Sequence, residues 1–335
     1  MTHLFSIMTA NKPQRIDPGG ILAMTLTAST ITSQTYFAFR SGQWILVMPF
    51  SYISTPTVFG FEKRLRLTVV FWMANAVTLA AFLQNGPPHV RINAPPNPGP
   101  NTTNTAYSWE DIHSLNAWPE FTLQHITNRY RQLLDNTSLP SEPITSPGPI
   151  VSSENQLRAL IVTQFKNRIR HALRATFDQI GNQHQGLQGL TRVSYDEGEG
   201  ARIMDNYKPD AAFFDETIPA TTSWNRAPGE VKPSWKWTSN LRNSLLPAGR
   251  RECRQVLSQL NFYMKQHHAR YGYIITDLEL VPVRRRDDVG NLDLAQPIPW
   301  NARGNPGNEQ LTVMLALWYL GMLAAQNNGP GSWNI

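Results

Sequence analysis

Apolar residues recur at helical spacing from Leu157 through Leu160, Ile161, Phe165, Ile169, Ala172, Leu173 and Phe177, which predicts one long amphipathic helix. Ser153-Glu154-Asn155-Gln156 just before them is a capping-box pattern, so the helix should start there. Gly-rich and acidic Thr191 to Ile203 predicts a strand and turn, Lys208 to Phe214 a second strand, and Gly229 to Lys232 a third. Glu252 to His268 reads as a second helix and Tyr271 to Asp277 as a buried strand. Leu278 to Arg284 should return beside it at the sheet edge, because Pro282 cannot donate to a ladder. Leu311 to Ala325 is apolar nearly all round but too short to span a bilayer, which predicts a helix buried against the core. Pro119 to Leu134 places Phe121, Leu123, Ile126, Tyr130 and Leu133 on a short amphipathic helix. There is no internal repeat.

The pattern is weaker upstream. Residues 1–86 form an apolar N-terminal segment, 87–108 a Pro- and Asn-rich linker, and 109–330 the predicted domain. Leu65 to Leu83 is apolar over nineteen residues with Lys63, Arg64 and Arg66 at one end, a length that fits a membrane span. Asn75 near its middle would need a partner in lipid, so a buried helix, or sequence outside the natural folded product, are the competing readings. No charged segment leads into a compact apolar stretch and cleavage site after Met1, so no secretory signal is expected. Pro87 to Asn104 and Ser138 to Pro149 read as linkers or long surface loops.

Charge narrows the choice of partner. The 335-residue chain carries a formal charge of +6 with a pI near 9.5. Residues 230–286 hold eleven Lys and Arg against four Asp and Glu, so this segment accounts for the whole excess. Lys236, set between Trp235 and Trp237, with Arg250, Arg251, Arg284, Arg285 and Arg286, could neutralise phosphates and stack on bases. The tryptophans could equally pack a sheet edge. Arg158, Lys166, Arg168, Arg170 and Arg174 on the first helix form either a solvated face or one that tracks phosphates. Cys253 is the single cysteine, which argues against a disulfide framework and fits a reducing compartment, nuclear or cytoplasmic.

Candidate chemistry centres on Asp210, Glu230 and Lys232. Side chains alternate along a strand, so Glu230 and Lys232 share a face while Val231 points into the opposite layer. Asp210 at the head of a neighbouring strand could share a divalent cation with Glu230, since hard cations take carboxylate oxygens. Lys232 would then orient or deprotonate the attacking water. On the following helix, Gln259 and Tyr263 at i and i+4 share one face. Glu154 is either an acid approaching the metal or one placed by the helix dipole, and Asp196, Glu197 and Glu199 read as turn residues. Adjacent His267 and His268 read as a surface helix end, where protonated histidine suits the dipole. Walker loops, Gly-x-Ser-x-Gly elbows and His-Glu-x-x-His are absent from the sequence.

Pro209-Asp210, Glu230-Val231-Lys232 and Gln259-x-x-x-Tyr263 together resemble the PD-(D/E)xK nuclease superfamily, in its RecB-type and lambda-exonuclease-type branch. The run from Tyr271 through Pro282 to Pro297-Ile298-Pro299-Trp300 and Leu311-Thr312-Val313 is similar to uncharacterised fungal proteins with such a domain. The resemblance covers roughly Val151 to Val283. It implies an α/β fold with a restriction-endonuclease-like core of helix, three strands, helix and strand, a mixed central sheet and an added C-terminal helix. It also implies Mg2+- or Mn2+-dependent hydrolysis of phosphodiester bonds in DNA or RNA. Asp210 and Glu230 would hold the cation, Lys232 the water, with Gln259, Tyr263 and Glu154 accessory. One cysteine excludes the four-cysteine iron-sulfur variant. A nuclease-like module without catalysis, binding nucleic acid or a protein partner and either free or tethered to a membrane, is the alternative.

Overall fold

A computed structural model describes residues 76–335 apart from Thr102, Gln185, Gly186 and Gln188, together with four strand segments further upstream. Contacts divide the chain into Met1–Ala74 and Asn75–Ile335. In the first unit β1 (Ala23–Leu26) pairs antiparallel with β4 (Leu67–Val70), and β2 (Phe37–Phe39) with β3 (Trp44–Leu46).

The second unit opens with β5 (Ala76–Thr78) and α1 (Leu79–Leu83), where the Thr78 hydroxyl accepts from the Ala81 N–H. Leu65 to Leu83, where the sequence allowed but did not favour a membrane span, thus contains β4, β5 and α1, while residues 65–66 and 71–75 lie outside the described residues. β-branched Thr68, Val69 and Val70 favour a strand, whereas Leu79, Phe82 and Leu83 bury one face of a helix of five residues. Among the described residues no helix is long and apolar enough to cross a membrane. The unit also begins upstream of the expected 87–108 linker, because α1 lies in the same hydrophobic core as the domain.

β6 (Ser114–Ala117), α2 (Leu123–Asn136) and β7 (Ser138–Pro140) precede α3 (Glu154–His184), the long predicted helix. Then follow β8 (Val193–Glu197), β9 (Ala211–Asp215), β10 (Gly229–Val231), α4 (Pro247–Gln266) and β11 (Tyr271–Ile275). β12 (Glu279–Arg285), β13 (Asn291–Leu294), β14 (Ile298–Pro299) and α5 (Val313–Ala325) complete the chain. The fold is thus α/β with a mixed central sheet, in the order β6-β13-β12-β11-β10-β9-β8, with β14 also pairing β12. β8 and β9, and β9 and β10, run antiparallel, whereas β10 and β11 are parallel. Parallel neighbours need a long crossover, and α4 supplies it.

Alternation along the strands divides the core into two layers. Val231, Tyr273 and Ile275 face the cluster built on α3 and α5, while Ile274, Val281, Val283 and Leu292 face α4. All thirteen residues of α5 are buried. Gly321 lets it approach closely, since a Cβ there would meet Leu173 at 2.7 Å, and Trp318 Nε1 donates to the Thr176 hydroxyl at 2.9 Å. β12 is not an edge strand. Pro282 lies opposite Tyr273 and accepts from the Ala295 N–H where β13 gives way to β14, so its missing donor falls at a change of partner.

Candidate metal centre

The site forms where β9 and β10 part. The two strands pair only at Gly229 and Ala211, and the Asp210 N–H donates to the Gly229 carbonyl at 3.1 Å. Two residues further on, the Val231 N–H has no backbone partner in β9 and donates instead to Asp210 Oδ2 at 2.9 Å. A buried amide must find an acceptor, and the Asp210 carboxylate supplies it while turning its other oxygen outward. Gly198 makes the bend possible, for a Cβ there would lie 1.8 Å from the Pro209 carbonyl oxygen.

Glu230 and Lys232 share one strand face, as their spacing predicts, and both are buried. Lys232 Nζ lies 2.7 Å from Glu230 Oε1 and 3.0 Å from Glu154 Oε1, and Lys236 Nζ lies 3.5 Å from Glu154 Oε2. Glu154 stands in the first turn of α3. Carboxylate oxygens of Glu154, Asp210 and Glu230 all lie within 4.8 Å of one another, and these three could hold a metal ion. Three hard oxygen donors at that spacing fit a divalent cation with ligand distances of about 2.0 to 2.6 Å.

Burial pushes the Glu230 carboxyl up to about 8 against the pull of Lys232, and Asp210 adds to the rise. Asp210 is also raised by burial, although Arg158, the Val231 N–H and Lys232 oppose this. For Lys232 burial acts to lower the pKa, but Glu230, Glu154 and Asp210 outweigh it and leave the ammonium more basic than usual.

Arg158 was legible only as one of five cations on a helix face, yet Nη2 lies 2.9 Å from Asp210 Oδ1. Three others on that face are also engaged: Lys166 and Arg170 pair with Asp196, and Arg168 donates to the Gln164 and Glu142 carbonyls. Asp196, Glu197 and Glu199 stay out of the cluster; Glu199 pairs with Lys208 at 2.7 Å. On α4, Gln259 Nε2 donates to the Tyr263 hydroxyl at 3.2 Å. Burial raises the Tyr263 pKa, as does the charge of Glu230. Tyr107, hidden from sequence reasoning inside the presumed linker, is also raised by burial and by Glu230. Its ring lies 5.6 Å from that of Phe262 on α4.

The expected nucleic-acid contacts divide. Arg285 is buried, donating from Nε to the Ala269 carbonyl at 3.0 Å and pairing with Asp288, so it is not a free phosphate ligand. Alternation in β12 turns it inward. Arg284 stacks on Trp118 and pairs with Asp293 at 2.7 Å, while Arg286 is exposed with Asp293 at 3.7 Å. Trp237 is buried and donates to the Cys253 carbonyl at 3.4 Å, which is a packing role. Arg250 and Arg251 are exposed near the start of α4. His267 is buried rather than at the surface, with Nδ1 accepting from the Asn225 N–H at 3.3 Å.

Compared with protein-family models, curated proteins and solved structures, the chain matches none.

Proposed function

We propose that this protein is a metal-dependent nuclease with a restriction-endonuclease-like core, hydrolysing phosphodiester bonds in DNA or RNA. The observation that carries this reading is the convergence of Glu154, Asp210 and Glu230 on Lys232 where β9 and β10 separate. The order α3, β8, β9, β10, α4, β11, with α4 crossing between parallel strands, supports the core assignment.

Asp210 and Glu230 would hold magnesium or manganese, with Glu154 as a third oxygen donor. The bound ion would polarise a phosphoryl oxygen and lower the pKa of water. Lys232 keeps its proton, so it orients the water by hydrogen bonding and offsets charge that develops on the phosphate. Tyr263 also keeps its proton and serves as a donor held in place by Gln259. Arg158 can exchange Asp210 for a phosphate oxygen, because its side chain is 32 % exposed. A nucleic-acid substrate and one buried cysteine fit a nuclear or cytoplasmic protein.

One observation favours a second reading, a catalytically silent module that binds nucleic acid or a protein. Arg158, Lys232 and Lys236 already face the three carboxylates, so the cluster is charge-balanced by the chain itself. The deciding experiment incubates the full chain with DNA and RNA substrates and Mg2+ or Mn2+, beside Asp210→Asn and Glu230→Gln. Cleavage lost in both variants establishes the nuclease; a folded protein that cleaves nothing above the variants establishes the silent module.

A further inference from the structure

Leu245 and Leu246 are 94 % and 70 % exposed, the most exposed large apolar side chains among the described residues. They form the tip of the turn that enters α4, and that tip is tied by hydrogen bonds. Arg250 Nη1 donates to the Ser244 carbonyl at 2.6 Å and to the Leu245 carbonyl at 3.1 Å. Ser244 Oγ accepts from the Leu246 N–H at 3.2 Å, and Pro247 fixes the next backbone angle. Residues 242–254 carry Arg242, Arg250, Arg251 and Arg254 but one acid, Glu252, which is occupied by Asn101. An apolar tip with exposed Arg250 bonded to its backbone and exposed Arg251 beside it complements a polyanion with an apolar interior.

From this we infer that Leu245 and Leu246 form a wedge that enters between base pairs of duplex DNA, while the surrounding arginines neutralise its phosphates. The inference rests on the nucleic-acid reading above and names its substrate as double-stranded. A membrane partner is less well matched, because stable anchoring needs far more apolar area than two side chains provide. The segment before β6 ties the tip to the metal centre along α4. Asn101 bonds Glu252, Trp109 stacks under Arg251 and donates to Gln255, and Tyr107 packs on Phe262. Leu246, the residue before α4, and Tyr263 are seventeen residues apart, about 25 Å along the helix at 1.5 Å per residue.

The test uses the full chain in EDTA, so that cleavage plays no part. Binding to duplex DNA carrying 2-aminopurine is followed by anisotropy and by the brightening that accompanies unstacking. The wild type should bind and brighten the probe; Leu245→Ser/Leu246→Ser should bind about tenfold more weakly without brightening, at an unchanged salt slope. Arg251→Ala, which leaves the tip's hydrogen bonds intact, should flatten the salt slope, and an unchanged slope would overturn its phosphate role. Exposed serines leave stability nearly unchanged, and thermal unfolding of the variants checks this. Equal binding by the leucine variant, absent brightening in the wild type, or leucine-dependent binding to phosphatidylserine vesicles in place of DNA would each overturn the wedge. Wedge-dependent binding by a protein that never cleaves would leave the wedge standing and remove the nuclease reading.

Discussion

Lys232 Nζ lies 2.7 Å from the Glu230 carboxylate, and each side chain is 3 % exposed. Such a pair costs much to bury, but removing one partner costs more, because the other is left uncompensated. Lys232→Met should lower unfolding free energy by about 3 kcal/mol in urea titrations. Mn2+ should restore part of that loss by replacing the missing positive charge. Unchanged stability would mean that the buried pair does not persist in solution.

Arg158 competes for the oxygen that a cation needs on Asp210. Arg158→Gln should therefore tighten Mn2+ binding about tenfold in a calorimetric titration, given roughly 1 to 4 kcal/mol between close charges in partly solvated surroundings. Weaker binding would instead make Arg158 a support that positions Asp210.

His267 supplies a pH dependence away from the metal centre. Burial, with Arg202 and His268, pushes its pKa down to about 4 from 6.5. Below pH 6.5 the unfolded chain takes a proton that the folded one refuses, so stability is fully present above that pH and is lost as pH falls toward 4. Urea unfolding at pH 5 should show a loss of about 2 kcal/mol relative to pH 7 from this group. His267→Asn keeps an acceptor for the Asn225 N–H and should flatten the profile by that amount.

Gly198 holds the bend that presents Asp210. Gly198→Ala forces a Cβ against the Pro209 carbonyl, which should cost about 1 to 3 kcal/mol. It should also weaken Mn2+ binding by moving the neighbouring carboxylate. A variant with normal stability and normal Mn2+ affinity would show that the backbone there yields freely.

Residues 75–86 are needed for folding. Leu79, Phe82 and Leu83 are all buried, and losing them removes about 1.5 to 3 kcal/mol of burial each, a large share of a domain stability of about 5 to 15 kcal/mol. A chain starting at Asn75 should unfold cooperatively by circular dichroism, whereas one starting at Pro87 should not. A cooperative transition in the shorter chain would refute this role for α1.

What the sequence determined by itself was local and periodic. The apolar spacing of α3, the uniformly apolar α5, and the alternation that puts Glu230 and Lys232 on one face all follow from the geometry of a helix or a strand. The tertiary structure alone decided what depends on residues distant in the chain. Arg158 reached Asp210, Glu154 joined the acidic cluster, and Tyr107 left an apparent linker to pack on Phe262 of α4. Pro282 found an interior strand because the partner changes beside it. Arg285 and His267, polar residues that read as exposed, are buried where a backbone group engages one nitrogen of each: the Ala269 carbonyl accepts from Arg285 Nε and the Asn225 N–H donates to His267 Nδ1. Local pattern fixes which way a side chain leaves its own element, whereas burial and pairing depend on which other elements pack against it.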